Sequence, residues 1–219
     1  MTRGDRWHIW IDRGGTFTDL VALGPDSRVH AMKLLSESAE HYADAAIEGI
    51  RRLLNVPQGS PIPEGQIAAV NMGTTVATNA LLERKGARTV LITTRGMKDQ
   101  LRIGYQHRPK LFVRKIDLVP PLYDRVVEVD ERIDAEGRVL TPLDATAAER
   151  DLKQARAQGF DSCAIVLMHG YRHTRHEAQV ASLARKLGFA QVSVSHEVSP
   201  LMKFVSRGHT TVADAYLSP

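Results

Sequence analysis

A short stretch near the amino terminus combines two carboxylates, two glycines and two hydroxyls. Its residues are Asp12, Arg13, Gly14, Gly15, Thr16, Thr18 and Asp19. Adjacent glycines can adopt positive φ and leave no Cβ in the path of a ligand, and successive backbone N–H groups in such a turn form a concave surface for phosphate oxygens. A carboxylate beside the turn is what a magnesium ion bridging phosphates requires. The stretch predicts a phosphate-binding turn, although an ordinary hairpin turn between two strands has the same pattern.

A second motif follows about sixty residues later. An apolar run ends at Gly73, and Thr74 and Thr75 then begin a predicted helix. Free N–H groups and hydroxyls at the positive end of a helix favour a phosphate or a carboxylate. Thr74 acting only as the helix cap is the alternative, and one hydroxyl can serve both purposes. Asn79, one turn further along, could reach the same pocket.

The remaining arginines and histidines give weaker signals. Guanidinium groups suit phosphate and carboxylate, but of Arg13, Arg95, Arg102 and Arg108 only Arg13 lies inside the turn. Five histidines follow predicted strands near the carboxyl end of the chain: His169, His173, His176, His196 and His209. Their spacing matches no zinc pattern, so we predict no metal site there.

Several segments together resemble one family. IDRGGTFTD is similar to the first phosphate-binding hairpin of the hydantoinase A / 5-oxoprolinase family, and MGTTVATNALLERKG is a more specific match. Further matching segments are KLLSE, GIRRLL, TRGMKDQLRIGYQ, EVDERID, VLMHGYRHTRHE and VSRGHTTVADAYLSP. The resemblance covers nearly the whole chain, and the part of the family that it matches is the amino-terminal region. It is stronger for ATP-dependent 5-oxoprolinases than for N-methylhydantoinases or acetone carboxylases.

The resemblance implies a fold, a reaction and roles for residues. The fold is α/β: a ribonuclease H-like lobe of the actin and sugar-kinase type, with a mixed sheet opened by an antiparallel hairpin, and a carboxy-terminal βαβ lobe. ATP phosphorylates a lactam carbonyl, and water opens the ring, giving L-glutamate from 5-oxoproline with ADP and phosphate. Asp12 is the implied catalytic residue and binds Mg²⁺, while Thr18 and Asp19 support the hairpin or the metal. The implied phosphate-binding residues are Arg13, Gly14, Gly15, Thr16, Thr18, Gly73, Thr74 and Thr75.

Other activities in the same superfamily stay open at this stage. They are an acetone carboxylase-like subunit, a small-molecule kinase, and a module that binds nucleotide or supports assembly without catalysis. Residues 100–219 contain no second glycine-rich loop of the Asp-Gly-Gly-Thr type. Because actin-like ATPases use two such loops, we expect an amino-terminal portion of a longer enzyme that is inactive alone. The expected partners are a lactam, the downstream domain or a partner subunit, and further copies in a full-length homo-oligomer.

Composition excludes several function classes. The 219 residues are 43% hydrophobic, enough for one large or two small cores. The net charge of +4 is spread among interspersed acidic and basic residues, which argues against nucleic acid as a partner. No apolar run approaches the roughly 18 residues of a membrane span, and no signal peptide precedes the first strand. Cys163 lies in an apolar run and is expected to be buried. As the single cysteine it cannot form an internal disulfide, which agrees with a reducing compartment, so we predict a cytoplasmic protein.

Hydrophobic periodicity indicates which elements carry these residues. A strand meander covers residues 8–35, a helix covers 42–54, and the pattern then alternates between strands and helices. From residue 141 a helix ending at Gly159, a buried strand, a helix ending at Gly188 and a final strand predict parallel βαβ pairing. We therefore place one domain at residues 1–140 and a second segment at 141–219.

Overall fold

The amino-terminal strands fold back on one another, as the alternating pattern predicts. In the computed structural model, which describes residues 6–107, 110 and 112–219, β1 (Trp7–Arg13), β2 (Phe17–Leu23) and β3 (Val29–Leu35) form an antiparallel meander. After helix α1 (Ala45–Leu53), strand β4 (Ile67–Thr74) pairs parallel to β1. The sheet order is β3-β2-β1-β4, which confirms a mixed sheet that contains an antiparallel hairpin.

One face of this first sheet is covered by α1. Asp44 caps the helix by accepting a hydrogen bond from the Ile47 N–H at 2.9 Å. The apolar side chains packed between sheet and helix are Ile9, Ile11, Leu20, Ala22, Leu34, Ala45, Ala46 and Ile50. On the other face Trp10, Val21 and Met72 are about half exposed. Side chains alternate along a strand, so the exposed carboxylate of Asp12 lies on this second face.

The second sheet is entirely parallel. Its order is β10-β9-β5-β6, formed by Gln191–Val194, Ser162–Val166, Thr89–Thr94 and Arg125–Val129 respectively. All residues of β5 and β9 are buried, as is typical of parallel strands covered on both faces. A small antiparallel hairpin, β7 (Arg132–Ile133) with β8 (Val139–Thr141), follows β6 and turns at Glu136 and Gly137.

Helices cover both faces of the parallel sheet. The helices of the chain after α1 are α2 (Val76–Leu82), α3 (Gln100–Ile103), α4 (Ala145–Ala157), α5 (Arg175–Lys186), α6 (Ser195–Val198) and α7 (Phe204–Leu217). On one face Val90, Ile92 and Cys163 pack against α4 and α5. On the other face Leu91 and Ala164 pack against Val212 and Ala215 of α7. The β9-α5-β10 segment is the predicted parallel βαβ unit.

The contacts divide the chain at a different position from the one we placed in the sequence. The two compact units are Met1–Lys85 and Gly86–Pro219, whereas the sequence interpretation separates residues 1–140 from 141–219. The physical reason is the pairing of β5 with both β6 and β9, which joins residues before and after position 140 in one sheet. None of the helices in the described part of the chain has the length and apolar character needed to cross a bilayer.

Candidate active site

The turn between β1 and β2 is closed by its own backbone. The Gly14 N–H donates to the Phe17 carbonyl at 2.9 Å, so this amide is not available to a ligand. A Cβ on Gly14 would lie 2.9 Å from the same oxygen. Neither Gly14 nor Gly15 has the positive φ that we expected, so close approach of the backbone is the reason for glycine at position 14. The N–H groups of Gly15 and Thr16 donate no hydrogen bond within the described residues.

Two carboxylates face each other beside this turn. Asp12 on β1 is directly opposite Asp19 on β2 in the ladder. Asp19 forms an ion pair with Lys33 at 3.1 Å, whereas the Asp12 carboxylate makes no hydrogen bond or ion pair within the described residues. Like charges directly opposite one another destabilise a strand pair, and a bound cation would remove that penalty. Both side chains line an open depression of about 370 Å³ that also includes Gly73.

Arg13 and Thr18 lie on the opposite face of the sheet from Asp12. The Arg13 guanidinium donates to the Asp44 carboxylate at 3.1 Å and remains one-third exposed. Thr18 is fully buried, and its Oγ1 lies 3.0 Å from the Ser36 Oγ. Thr16 is exposed in the turn whereas Thr18 points into the core, so the two hydroxyls are not both accessible to a ligand. Thr18 supports the hairpin.

Strand pairing brings the second motif to the first. Asp12 is opposite Gly73 and Arg13 is opposite Thr74 in the parallel β1–β4 ladder. The Thr74 hydroxyl donates to the Arg13 carbonyl at 3.2 Å and accepts from the N–H of Val76, the first residue of α2, at 3.2 Å, whereas the N-cap residue of this helix is Thr75. The Thr75 N–H donates to the same Arg13 carbonyl at 3.1 Å. A Cβ on Gly73 would meet open space.

Asn79 of α2 reaches the glycine turn. Its Nδ2 would lie 3.3 Å from a Cβ placed on Gly15. The two segments that the sequence marks for phosphate chemistry are therefore neighbours within Met1–Lys85, around Asp12, Gly15 and Gly73. Ser36, which contacts this turn from behind, was missed from the sequence because a single serine after a strand carries no local signal.

A buried ionic network occupies the carboxyl ends of β9 and β10 in the second unit. Glu177 and Arg207 are 0% and 1% exposed and lie 3.2 Å apart. Glu177 also accepts hydrogen bonds from the Leu167 N–H at 2.8 Å and from the Ser195 Oγ at 2.5 Å. Its other oxygen binds the His196 Nδ1 at 2.7 Å, and this hydrogen bond raises the pKa of His196 above its ordinary value.

A similar carboxylate–histidine pair lies near the end of β5. The Glu131 Oε2 is 2.8 Å from the His176 Nδ1, and its Oε1 accepts a hydrogen bond from the Thr94 hydroxyl. The Thr94 oxygen in turn accepts from the Met168 N–H at 2.9 Å. These contacts tie the ends of β5 and β9 to α5. Within the described residues, no group of three or more His, Cys, Asp or Glu side chains is arranged to hold a metal ion.

Two other candidates from the sequence, Arg95 and Cys163, have contacts that explain them without a ligand. Arg95 forms an ion pair with Asp130, which lowers the pKa of that carboxyl, and Arg108 lies outside the described residues. Cys163 is buried in the parallel sheet, and burial raises the pKa of its thiol to about 12. This residue is the small buried hydrophobe that we predicted, not a nucleophile.

The fold is shared with two ATP-dependent enzymes of known structure. The chain superposes on acetone carboxylase with a TM-score of 0.77 at 24% identity, covering 96% of this chain and 32% of that one. For the ATP-dependent caprolactamase of Pseudomonas jessenii the TM-score is 0.74 at 29% identity, with 96% and 31% covered. These similarities confirm an α/β fold with a mixed sheet.

Residues 8–188 match the hydantoinase/oxoprolinase N-terminal region, and the chain belongs to this family. It is 42% identical over 247 aligned residues to the 5-oxoprolinase of Saccharomyces cerevisiae. The alignment covers 96% of this chain and 19% of the yeast protein, so the chain spans about one fifth of the length of that relative.

Proposed function

We propose that this chain is the amino-terminal portion of an ATP-dependent cyclic amide hydrolase that opens 5-oxoproline or a hydantoin. Similarity to a 5-oxoprolinase along almost the whole chain supports the substrate class. A ribonuclease H-like lobe of the actin and sugar-kinase type is part of this proposal. So are a cytoplasmic location, a lactam substrate and assembly of the full-length enzyme as a homo-oligomer with its downstream region.

The observation that carries the proposal is the free carboxylate of Asp12 beside two free amides. Asp12 is exposed and unpaired within the described residues, and the N–H groups of Gly15 and Thr16 follow it in the turn. Gly73 and Thr74 lie next to this group because of the β1–β4 pairing, and the Thr75 N–H donates to the Arg13 carbonyl at 3.1 Å. An exposed acid with adjacent unpaired backbone donors suits a nucleotide phosphate with its divalent cation.

The available ligands fit Mg²⁺ bound through a nucleotide. Mg²⁺ in phosphate sites is held by one or two carboxylates and completes its shell with phosphate oxygens and water. Asp12 and Asp19 would supply those carboxylates, and Asp19 would have to weaken its ion pair with Lys33. The cation would neutralise charge on the phosphates of ATP.

The residues of this chain would serve the reaction by binding and orientation. A lactam is a poor electrophile, so transfer of the ATP γ-phosphoryl group to its carbonyl oxygen, with ADP leaving, activates the ring carbon. One water then adds to that carbon and the C–N bond breaks, with nitrogen taking a proton. A second water releases phosphate, giving glutamate when the lactam is 5-oxoproline. The Gly15 and Thr16 N–H groups and the Thr16 hydroxyl would hold the transferred phosphoryl group in line.

Replacing Asp12 by Asn in the full-length enzyme tests this role. We expect loss of lactam-dependent ADP release with a thermal unfolding midpoint that is unchanged or slightly higher, because the amide keeps the shape of the side chain and removes its repulsion with Asp19. Asp26→Asn is the matched control, since Asp26 is an exposed acid whose partners among the described residues are Arg28 in its own β2–β3 turn and His30. Near-normal turnover by the Asp12 variant would refute the role, and absence of lactam-dependent ADP release from the wild type would refute the proposed reaction.

A further inference from the structure

Ser36 contacts the glycine turn through both its backbone and its side chain. It is the first residue after β3 and is 5% exposed. Its N–H donates to the Thr16 carbonyl at 2.9 Å, and its hydroxyl donates to the Gly14 carbonyl at 2.7 Å. One residue therefore binds two of the three carbonyls of residues 14–16.

Ser36 also makes a third hydrogen bond, to Thr18, and the number of hydroxyl protons determines which of the two residues donates. The Ser36 Oγ lies 3.0 Å from the Thr18 Oγ1, and either atom could donate on distance alone. A serine hydroxyl has one proton, and that of Ser36 is used on the Gly14 carbonyl. Thr18 must therefore donate to Ser36, which gives a directed chain from Thr18 through Ser36 to the Gly14 oxygen. Hydrogen bonds in such a chain strengthen one another.

This chain determines where the Gly15 amide points. The Gly14 carbonyl and the Gly15 N–H belong to one planar trans peptide, so they point in opposite directions. Holding the oxygen toward Ser36 turns the N–H away from Ser36 and out of the protein. A peptide between two glycines has more conformational freedom than any other, so it needs such an external contact to keep one orientation.

We propose that Ser36 is a positioning residue that presents the Gly15 N–H to the phosphate group of the nucleotide. The inference rests on the proposed function for its ligand, but its geometric part concerns the turn alone. Ser36 itself does not touch the nucleotide. It acts through the Gly14–Gly15 peptide, and Thr18 acts through Ser36.

The test uses the full-length enzyme with Ser36→Ala, with Ser36→Thr as the conservative rescue. Removing the hydroxyl frees the Gly14 carbonyl, so we expect the KM for Mg-ATP to rise about tenfold or more, the factor of one hydrogen bond to a charged group. The KM for the lactam should be unchanged, and Ser36→Thr should restore the KM for ATP. Hydrogen exchange of the Gly14 N–H, which bonds the Phe17 carbonyl at 2.9 Å within the same turn, should accelerate without nucleotide in Ser36→Ala only.

Ser38→Ala is the matched control, because Ser38 lies two residues away and its Oγ contacts His41 at 3.4 Å rather than the turn. If Ser36→Ala does not fold, Thr18→Val removes only the donor to Ser36, and a rise of about threefold in the KM for ATP is expected. An unchanged KM for ATP in folded Ser36 or Thr18 variants overturns the inference. If the wild type uses no ATP, the proposed function fails separately. Unchanged exchange of the Gly14 N–H in folded Ser36→Ala would then overturn the geometric part.

Discussion

Substituting Glu177 by Gln should destabilise the second unit severely. The side chain is fully buried and accepts hydrogen bonds from Leu167, Ser195 and His196 in addition to its ion pair with Arg207. Gln has nearly the same volume, so no cavity results. The variant nevertheless leaves the Arg207 guanidinium, 1% exposed, without a counter-ion, and it replaces an accepting oxygen by a donating amide.

The expected cost is set by the unpaired buried charge. Removing one partner of a buried ion pair costs about 3–5 kcal/mol. With a urea dependence of about 2 kcal/mol per molar, the unfolding midpoint of this unit should fall by about 2 M. Both tryptophans, Trp7 and Trp10, lie in the first unit, so their fluorescence does not report directly on this transition. Hydrogen exchange of the β9 amides, measured as a function of urea concentration, reports directly on unfolding of the second unit.

Glu149→Gln is the matched control because it makes the same chemical change in an exposed pair. Glu149 binds Lys153 at 2.6 Å on the surface of α4, with both side chains largely solvated. Exposed pairs of this kind contribute little, so the midpoint of β9 exchange should stay at the wild-type value. A Glu177→Gln midpoint within about 0.3 M of the wild type, roughly 0.6 kcal/mol at that slope, would refute the reasoning that Arg207 depends on this carboxylate.

Two further predictions concern titration in the second unit. The Glu177 hydrogen bond and, more weakly, the charge of Glu197 raise the pKa of His196, so its contribution to stability is complete below about pH 6.5 and is lost as pH rises through the folded pKa. Urea midpoints measured from pH 6 to 8.5 should fall in the wild type and less in His196→Asn; parallel curves would contradict this. Burial raises the pKa of Cys163 to about 12, so iodoacetamide at pH 8 should leave the folded chain unmodified and alkylate it in denaturing urea. Rapid modification of the native chain would show that the thiol is accessible.

Local patterns were sufficient for most secondary structure. The apolar runs around the turn at residues 14–16 predict the β1–β2 hairpin, and Asp144 caps α4 through the Ala147 N–H at 2.9 Å. Gly159 and Gly188 have φ of 81° and 78°, as expected just after the ends of α4 and α5. These features depend on residues within a few positions of one another, which is why the sequence shows them. The helix predicted to begin at Thr74 and Thr75 covers Val76–Leu82 in the structure.

The sequence by itself determined the family, the β1–β2 hairpin, the βαβ unit and the two segments that carry the candidate site. Only the tertiary structure decided that Arg13 turns to Asp44, that Thr18 is buried against Ser36, and that β5 pairs with β9. It also decided which buried acids pair with which bases, as in Glu177 with Arg207. The physical reason is the distance along the chain. Strand alternation and helix caps are properties of neighbouring residues, whereas these contacts join residues 18 to 73 positions apart, and nothing in either local pattern specifies the partner.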